Sequence, residues 1–161
     1  MWDMINAAYI NKNQPLLLGL ATDDSHNYHQ FGAAYSNAGR GWVMVHANDL
    51  TAESLILALE AGEFYSSTGV SLQELSAENN HLRLSIRPEK QVSYVIEFVG
   101  MKAGDEMASV LKKTDGIEGD FEITKDILFV RARIISDKIK SNPFHEGELE
   151  EAWTQPVMYK K

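Results

Sequence analysis

The hydrophobic pattern of this chain changes period once, near residue 70, and that change constrains the fold more than any single motif. Before it, "PLLLGLAT" (Pro15 to Thr22) and "GWVMVHA" (Gly41 to Ala47) are apolar without alternation. Such runs suit strands buried on both faces, as in a parallel sheet covered by helices. After it, "HLRLSIR" puts Leu82, Leu84 and Ile86 on one face, and "VSYVIEFVG" does the same for Val92, Tyr94, Ile96 and Phe98. Period-two alternation predicts half-buried strands of an antiparallel sheet.

Local signals fill in the elements. Trp2, Met4, Ile5, Ala8 and Tyr9 predict a short helix ending near Asn11 to Asn13. In "NDLTAESLILALEAGEF", Thr51 is placed to cap a helix and Glu53 lies in its first turn. Leu55, Ala58, Leu59 and Gly62 share one face, and Gly62 is a natural stop. "DFEIT" and "DILFVRARIIS" flank Thr124-Lys125-Asp126 like a hairpin, with Leu128, Val130, Ala132 and Ile134 as its inward row. "AWTQPVMY" fits only an edge strand, because Pro156 has no N–H for a ladder. The expected fold is therefore α/β plus all-β, with an α/β part over residues 1–68 and a small antiparallel β-sandwich over 69–161. No internal repeat or low-complexity tract is visible.

Composition excludes several functions. A net charge of −8 and the lack of a basic stripe argue against binding nucleic acid. Zero cysteines removes disulfides, thiolate catalysis and cysteine-type zinc sites together. The first residues lack the basic and apolar regions of a signal peptide, and no apolar run reaches membrane-spanning length, so the default expectation is cytoplasmic with no membrane partner.

The densest chemistry lies in "ATDDSHNYH" (Ala21 to His29), which holds two aspartates and two histidines. In extended backbone, residues two apart point the same way, so Asp24 and His26 would converge on one ion at the end of the first strand. A carboxylate with an imidazole suits zinc, manganese or iron, and Asp23 and His29 would orient these ligands. The plainer reading is a solvated turn in which Asp23 or Asp24 caps backbone amides. The other histidines read as structural or solvated: His46 in or at the end of its strand, His81 facing solvent, and His145 in the charged loop "HEGELEE". "FYSSTG" (Phe64 to Gly69) reads as a turn with Tyr65 packed at the junction, and Trp42 and Trp153 as core or edge packing.

"LGLATDDSH", "YSNAGRGWVMVHANDLTAESLILALEAGEFYSSTGV", the early Trp2-Asp3 and the later "LFVRARIISD…AWTQPVMY" together resemble the closing part of a PHP-domain protein. This is the polymerase and histidinol phosphatase superfamily of metal-dependent phosphoesterases. The resemblance implies the C-terminal fragment of a distorted (βα) barrel followed by a β-rich extension. It implies a divalent metal that activates water against a phosphoester, with Asp24-Ser25-His26 as the last ligand motif. The family's earlier His-x-His is absent, since none of the five histidines forms one. The resemblance thus implies a truncated or split domain, inactive alone and completed by an N-terminal PHP segment or by self-association over exposed sheet edges. The competing expectation is a non-catalytic module whose β-rich half binds a partner or a carbohydrate.

Overall fold

In the computed structural model, which describes every residue except Ala34 and Lys161, the chain is built mainly from strands. The elements are α1 (Trp2–Asn11), β1 (Trp42–Val45), α2 (Ala52–Ala61), β2 (Phe64–Ser67), β3 (Leu72–Glu78), β4 (His81–Ile86), β5 (Tyr94–Lys102), β6 (Ser109–Asp115), β7 (Glu118–Glu122), β8 (Ile127–Ile139) and β9 (Leu149–Thr154). They form a six-stranded sheet in the order β1-β2-β9-β8-β5-β6 and a three-stranded sheet in the order β3-β4-β7.

The alternating segments behave as their period predicts except at Leu128, which is half-buried outside the core while Ile127 enters it, beside a register shift at Met101/Lys102. Leu82, Leu84 and Ile86 of β4 and Tyr94, Ile96 and Phe98 of β5 are all buried, and they form one core with Val130, Ala132 and Ile134 of β8. The two sheets meet face to face here, with the Phe98 and Phe121 ring centres 5.3 Å apart. This is a β-sandwich-like arrangement. Both helices also stand where expected. Thr51 caps α2 by accepting from Ser54 N at 3.2 Å, and Gly62 ends it in the left-handed conformation at φ 75°.

The expected (βα) barrel fragment is overturned. Every ladder in both sheets is antiparallel, and only two helices are present among the described residues. The Pro15–Thr22 run is not a strand. It crosses one face of the six-stranded sheet, and side chains rather than a ladder satisfy its backbone. Asn6 bonds both the N–H and the C=O of Leu17, Trp2 Nε1 also donates to Leu17 O, Gln155 bonds both groups of Gly19, and Ser66 Oγ accepts from Ala21 N. Backbone groups need partners, but these need not be other strands. Leu17 and Leu20 consequently stay exposed. "GWVMVHA" does contain a strand, β1, but at the sheet edge and not buried on both faces.

Two connections also differ from expectation. β7 and β8 are not a hairpin: the turn at Thr124–Asp126 carries the chain from the small sheet to the large one. "AWTQPVMY" contributes to an interior strand, because β9 ends at Thr154 before Pro156. The six-stranded sheet takes strands from both sides of residue 68, with β2 paired to β9 through Tyr65–Thr154, Ser66–Trp153 and Ser67–Ala152.

The outer face of β8 is covered by α1. Arg131 Nε and Nη2 each donate to the Asp3 carboxylate at 2.8 Å, and both side chains are largely buried. The guanidinium carbon lies 4.8 Å from the centre of the Trp2 ring, which shares its charge through the π face. Arg131 Nη1 is buried without a hydrogen-bond partner among the described residues.

Candidate functional site: the Asp23–Arg40 loop

Asp23 organises the loop that carries the candidate ligands. Its carboxylate accepts from Gly39 N at 2.7 Å, from Arg40 N at 2.6 Å and from Gly41 N at 2.6 Å. These three contacts close the loop on its own base. Among the sequence-based expectations for Asp23, amide capping is the one this geometry matches, and the carboxylate is thereby occupied. Asp23→Ala is expected to destabilise the chain by about 2–3 kcal/mol, since charge-assisted bonds to amides are among the stronger ones. Chemical denaturation checks this, and a loss below about 0.5 kcal/mol would show that solvent replaces the carboxylate at little cost.

The loop interior is polar. Asn37 is fully buried; its Nδ2 donates to Asn27 O and Gln30 O, both at 2.8 Å, and its Oδ1 accepts from Gly32 N at 3.1 Å. Arg40 donates to Tyr35 O, to Gly32 O at 2.9 Å and to Asn142 Oδ1 at 3.2 Å, and its guanidinium lies over the Phe144 ring. Sequence reading missed Asn37 and Arg40. No periodicity marks a buried polar residue inside a glycine-containing loop.

Asp24 and His26 stand on the loop surface. Asp24 adopts φ 48°, a left-handed turn and not an extended strand, so the two-apart rule does not make the pair converge. His26 is fixed differently. Its Nδ1 lies 2.7 Å from Asp24 O, and its backbone N donates to Ser36 O at 3.0 Å. A carbonyl oxygen only accepts, so Nδ1 is the donor in that contact and Nε2 is the ring nitrogen left facing outward from it. His29 is exposed and makes no side-chain hydrogen bond among the described residues.

Beside the loop lies an open cleft of about 590 Å³, lined by Trp2, Asp23, Arg40, Arg131, Lys140 and Trp153 among others. Its cations are already engaged. Lys140 Nζ sits 3.1 Å from Glu148. Burial raises the Glu148 carboxyl, but the Lys140 ammonium and the Phe144 amide outweigh it and hold the group below its ordinary range.

The remaining residues singled out by sequence are structural. "FYSSTG" is mostly the buried strand β2 and not a turn. Ser66 Oγ donates to Gly19 O, Ser67 Oγ to Val70 O and Thr68 Oγ1 to Glu151 O, so these three hydroxyl protons are engaged within the chain, while Tyr65 OH accepts from Leu72 N. His46 lies just past the end of β1 and is exposed. His81 does not simply face solvent. Its Nδ1 lies 2.7 Å from Asp120, whose carboxyl is held below its usual range first by that bond and then by Arg83. His145 packs edge-on against Phe144.

The Asp24 carboxylate and the His26 imidazole are ligand types of divalent-metal sites, but the left-handed turn at Asp24 removes the extended-strand convergence expected of them. No group of three or more His, Cys, Asp or Glu side chains placed to hold a metal occurs among the described residues. No helix among them is long and apolar enough to cross a membrane. Comparison of the chain with protein-family models, with curated proteins and with solved structures finds no match.

Proposed function

We propose that this chain contributes Asp24 and His26 to a divalent-metal centre for phosphoester hydrolysis and is inactive by itself. The observation that supports this most is the His26 ring, held by Nδ1 against the Asp24 carbonyl at 2.7 Å. Metal-binding imidazoles are commonly oriented in this way, through the ring nitrogen that does not bind the ion. The reaction class comes from the resemblance of "ATDDSH" and the segments after it to the PHP phosphoesterases. The Asp23 carboxylate keeps the loop shape by binding three amides, and Asp24 and His26 then project from a fixed base. A bound zinc, manganese or iron ion would supply an activated water and a positive clamp on the phosphate oxygens. Two protein donors are fewer than the three or four usual for such ions, so this reading requires further ligands from a second copy or from an N-terminal PHP segment.

Titration of the chain with Mn²⁺ or Zn²⁺, followed calorimetrically and by the imidazole proton resonances of His26, tests this. The expected result is weak binding that perturbs His26 and falls by about tenfold or more in the Asp24→Ala/His26→Ala double variant. Hydrolysis of p-nitrophenyl phosphate by the chain alone is expected to be absent. Metal affinity unchanged in the double variant would remove the loop from consideration.

A second reading, a non-catalytic interaction module, is favoured by one separate observation, the open edge of β1.

A further inference from the structure

The two sheets have four edge strands, and three carry the usual protection against pairing with another chain. β6 holds Lys112, Lys113 and Asp115 beside a register shift at Phe98/Val99. β3 holds Glu74 and Glu78 and has a register shift between Leu72 and Glu74. β7 holds Glu118, Asp120 and Glu122. Charges and bulges at edges block strand addition. The fourth edge, β1, reads Trp-Val-Met-Val, with no charge and an unbroken register from Trp42–Ser67 to Val45–Phe64.

Hydrogen-bond parity shows which backbone groups of β1 are open. His46 N donates to Glu63 O at 2.8 Å, so that pair is a bonded one. Bonded and non-bonded pairs alternate in an antiparallel ladder. Met44 and Trp42 therefore bond to β2, while Val43 and Val45 turn their N–H and C=O groups to the open side. Gly41 has the same parity, and its N–H is taken by Asp23. Among the described residues, neither Val43 nor Val45 has a backbone partner beyond the sheet. Trp42 and Met44 are 38% and 42% exposed, and the α2 residues Ile56 and Leu57 are 54% and 59% exposed.

Charge identifies the occupant. Between Gly41 and Leu82 the chain has six acids (Asp49, Glu53, Glu60, Glu63, Glu74 and Glu78) and no Lys or Arg. The four around β1 and α2, Asp49, Glu53, Glu60 and Glu63, are exposed and form no ion pair among the described residues. A second copy would bring the same carboxylates and another net charge of −8 to this edge. We propose that β1 is a strand-addition site for an extended segment of a partner protein with an apolar centre and lysine- or arginine-rich flanks. The main chain of that segment pairs with Val43 and Val45, and its flanks meet the acidic rim.

The probe is a blocked nonapeptide, Lys-Lys-Val-Thr-Val-Thr-Val-Lys-Lys, titrated calorimetrically into the full chain, with a control in which the four lysines are glutamates. The basic peptide is expected to bind at least about tenfold more tightly than the acidic one, with the difference shrinking at high salt. Val43→Pro removes an outward N–H without touching the β1–β2 ladder, and Met44→Lys adds an edge charge while keeping the backbone. Each is expected to keep the fold by circular dichroism and to weaken binding by about tenfold or more. Equal binding of the two peptides, no binding of the basic one, or binding unchanged in both variants overturns the proposal. Dimerisation of the chain alone that Val43→Pro abolishes also overturns it, by giving the edge to a second copy.

Discussion

Arg131→Ala is expected to lower stability by about 3–5 kcal/mol, because it leaves the Asp3 carboxylate largely buried and uncompensated. The loss reaches well beyond one ion pair. Asp3 lies in the first turn of α1, and α1 presents Trp2 and Asn6 to Leu17. Leu17 lies in the extended run that leads to Asp23 and the candidate ligands. Freeing α1 should therefore loosen the loop as well. Urea denaturation measures the first effect, and amide exchange at Leu17 and Gly19 measures the second. Asp3→Asn, which keeps the shape and loses the charge, is expected to fall between wild type and Arg131→Ala. A stability loss below about 1 kcal/mol in Arg131→Ala would mean that water replaces the pair at little cost.

Phe98→Ala is expected to cost about 3–5 kcal/mol through lost burial and the cavity left behind. Phe98 has no exposed surface, meets the Phe121 ring across the sandwich, and would touch any side chain added at Gly119, where a Cβ would lie 3.0 Å from its Cζ. Few neighbours can move into the space, since Ile96, Val130, Ala132 and Ile134 are held in ladders of the six-stranded sheet. In a chain of this size, the melting temperature should fall by roughly 10 °C. Phe31→Ala is the control: Phe31 is 75% exposed, and the change should stay within about 0.5 kcal/mol. Similar losses in the two variants would mean that the sandwich core is loosely packed.

The readable parts of the sequence were those whose signals are local. Alternation in β4 and β5 named the core, because a half-buried strand must put every second side chain inside. Thr51 and Gly62 marked the ends of α2, because capping depends on a few adjacent residues. The Pro15–Thr22 run was misread for a physical reason. An apolar extended segment has the same pattern whether its backbone meets a strand or the side chains of Asn6, Gln155 and Ser66, and those lie 136 residues away in the case of Gln155. β1 was misread in the same way. Its apolar pattern suits an edge or an interior position equally well. The candidate site was half legible: Asp24 and His26 were visible as residues, but the left-handed turn at Asp24 and the His26–carbonyl contact were not.

By itself the sequence determined the sandwich core, the span of both helices, the acidic balance and the identity of the two candidate ligands. Each of these follows from residues close together in the chain or from composition. The tertiary structure alone decided that Asp23 is spent on three amides, that Arg131 ties α1 to β8, and that β1 is left as an uncharged edge. Those outcomes depend on which groups meet, from 16 residues apart at Asp23 and Gly39 to 128 apart at Asp3 and Arg131, and such contacts leave no period in the sequence.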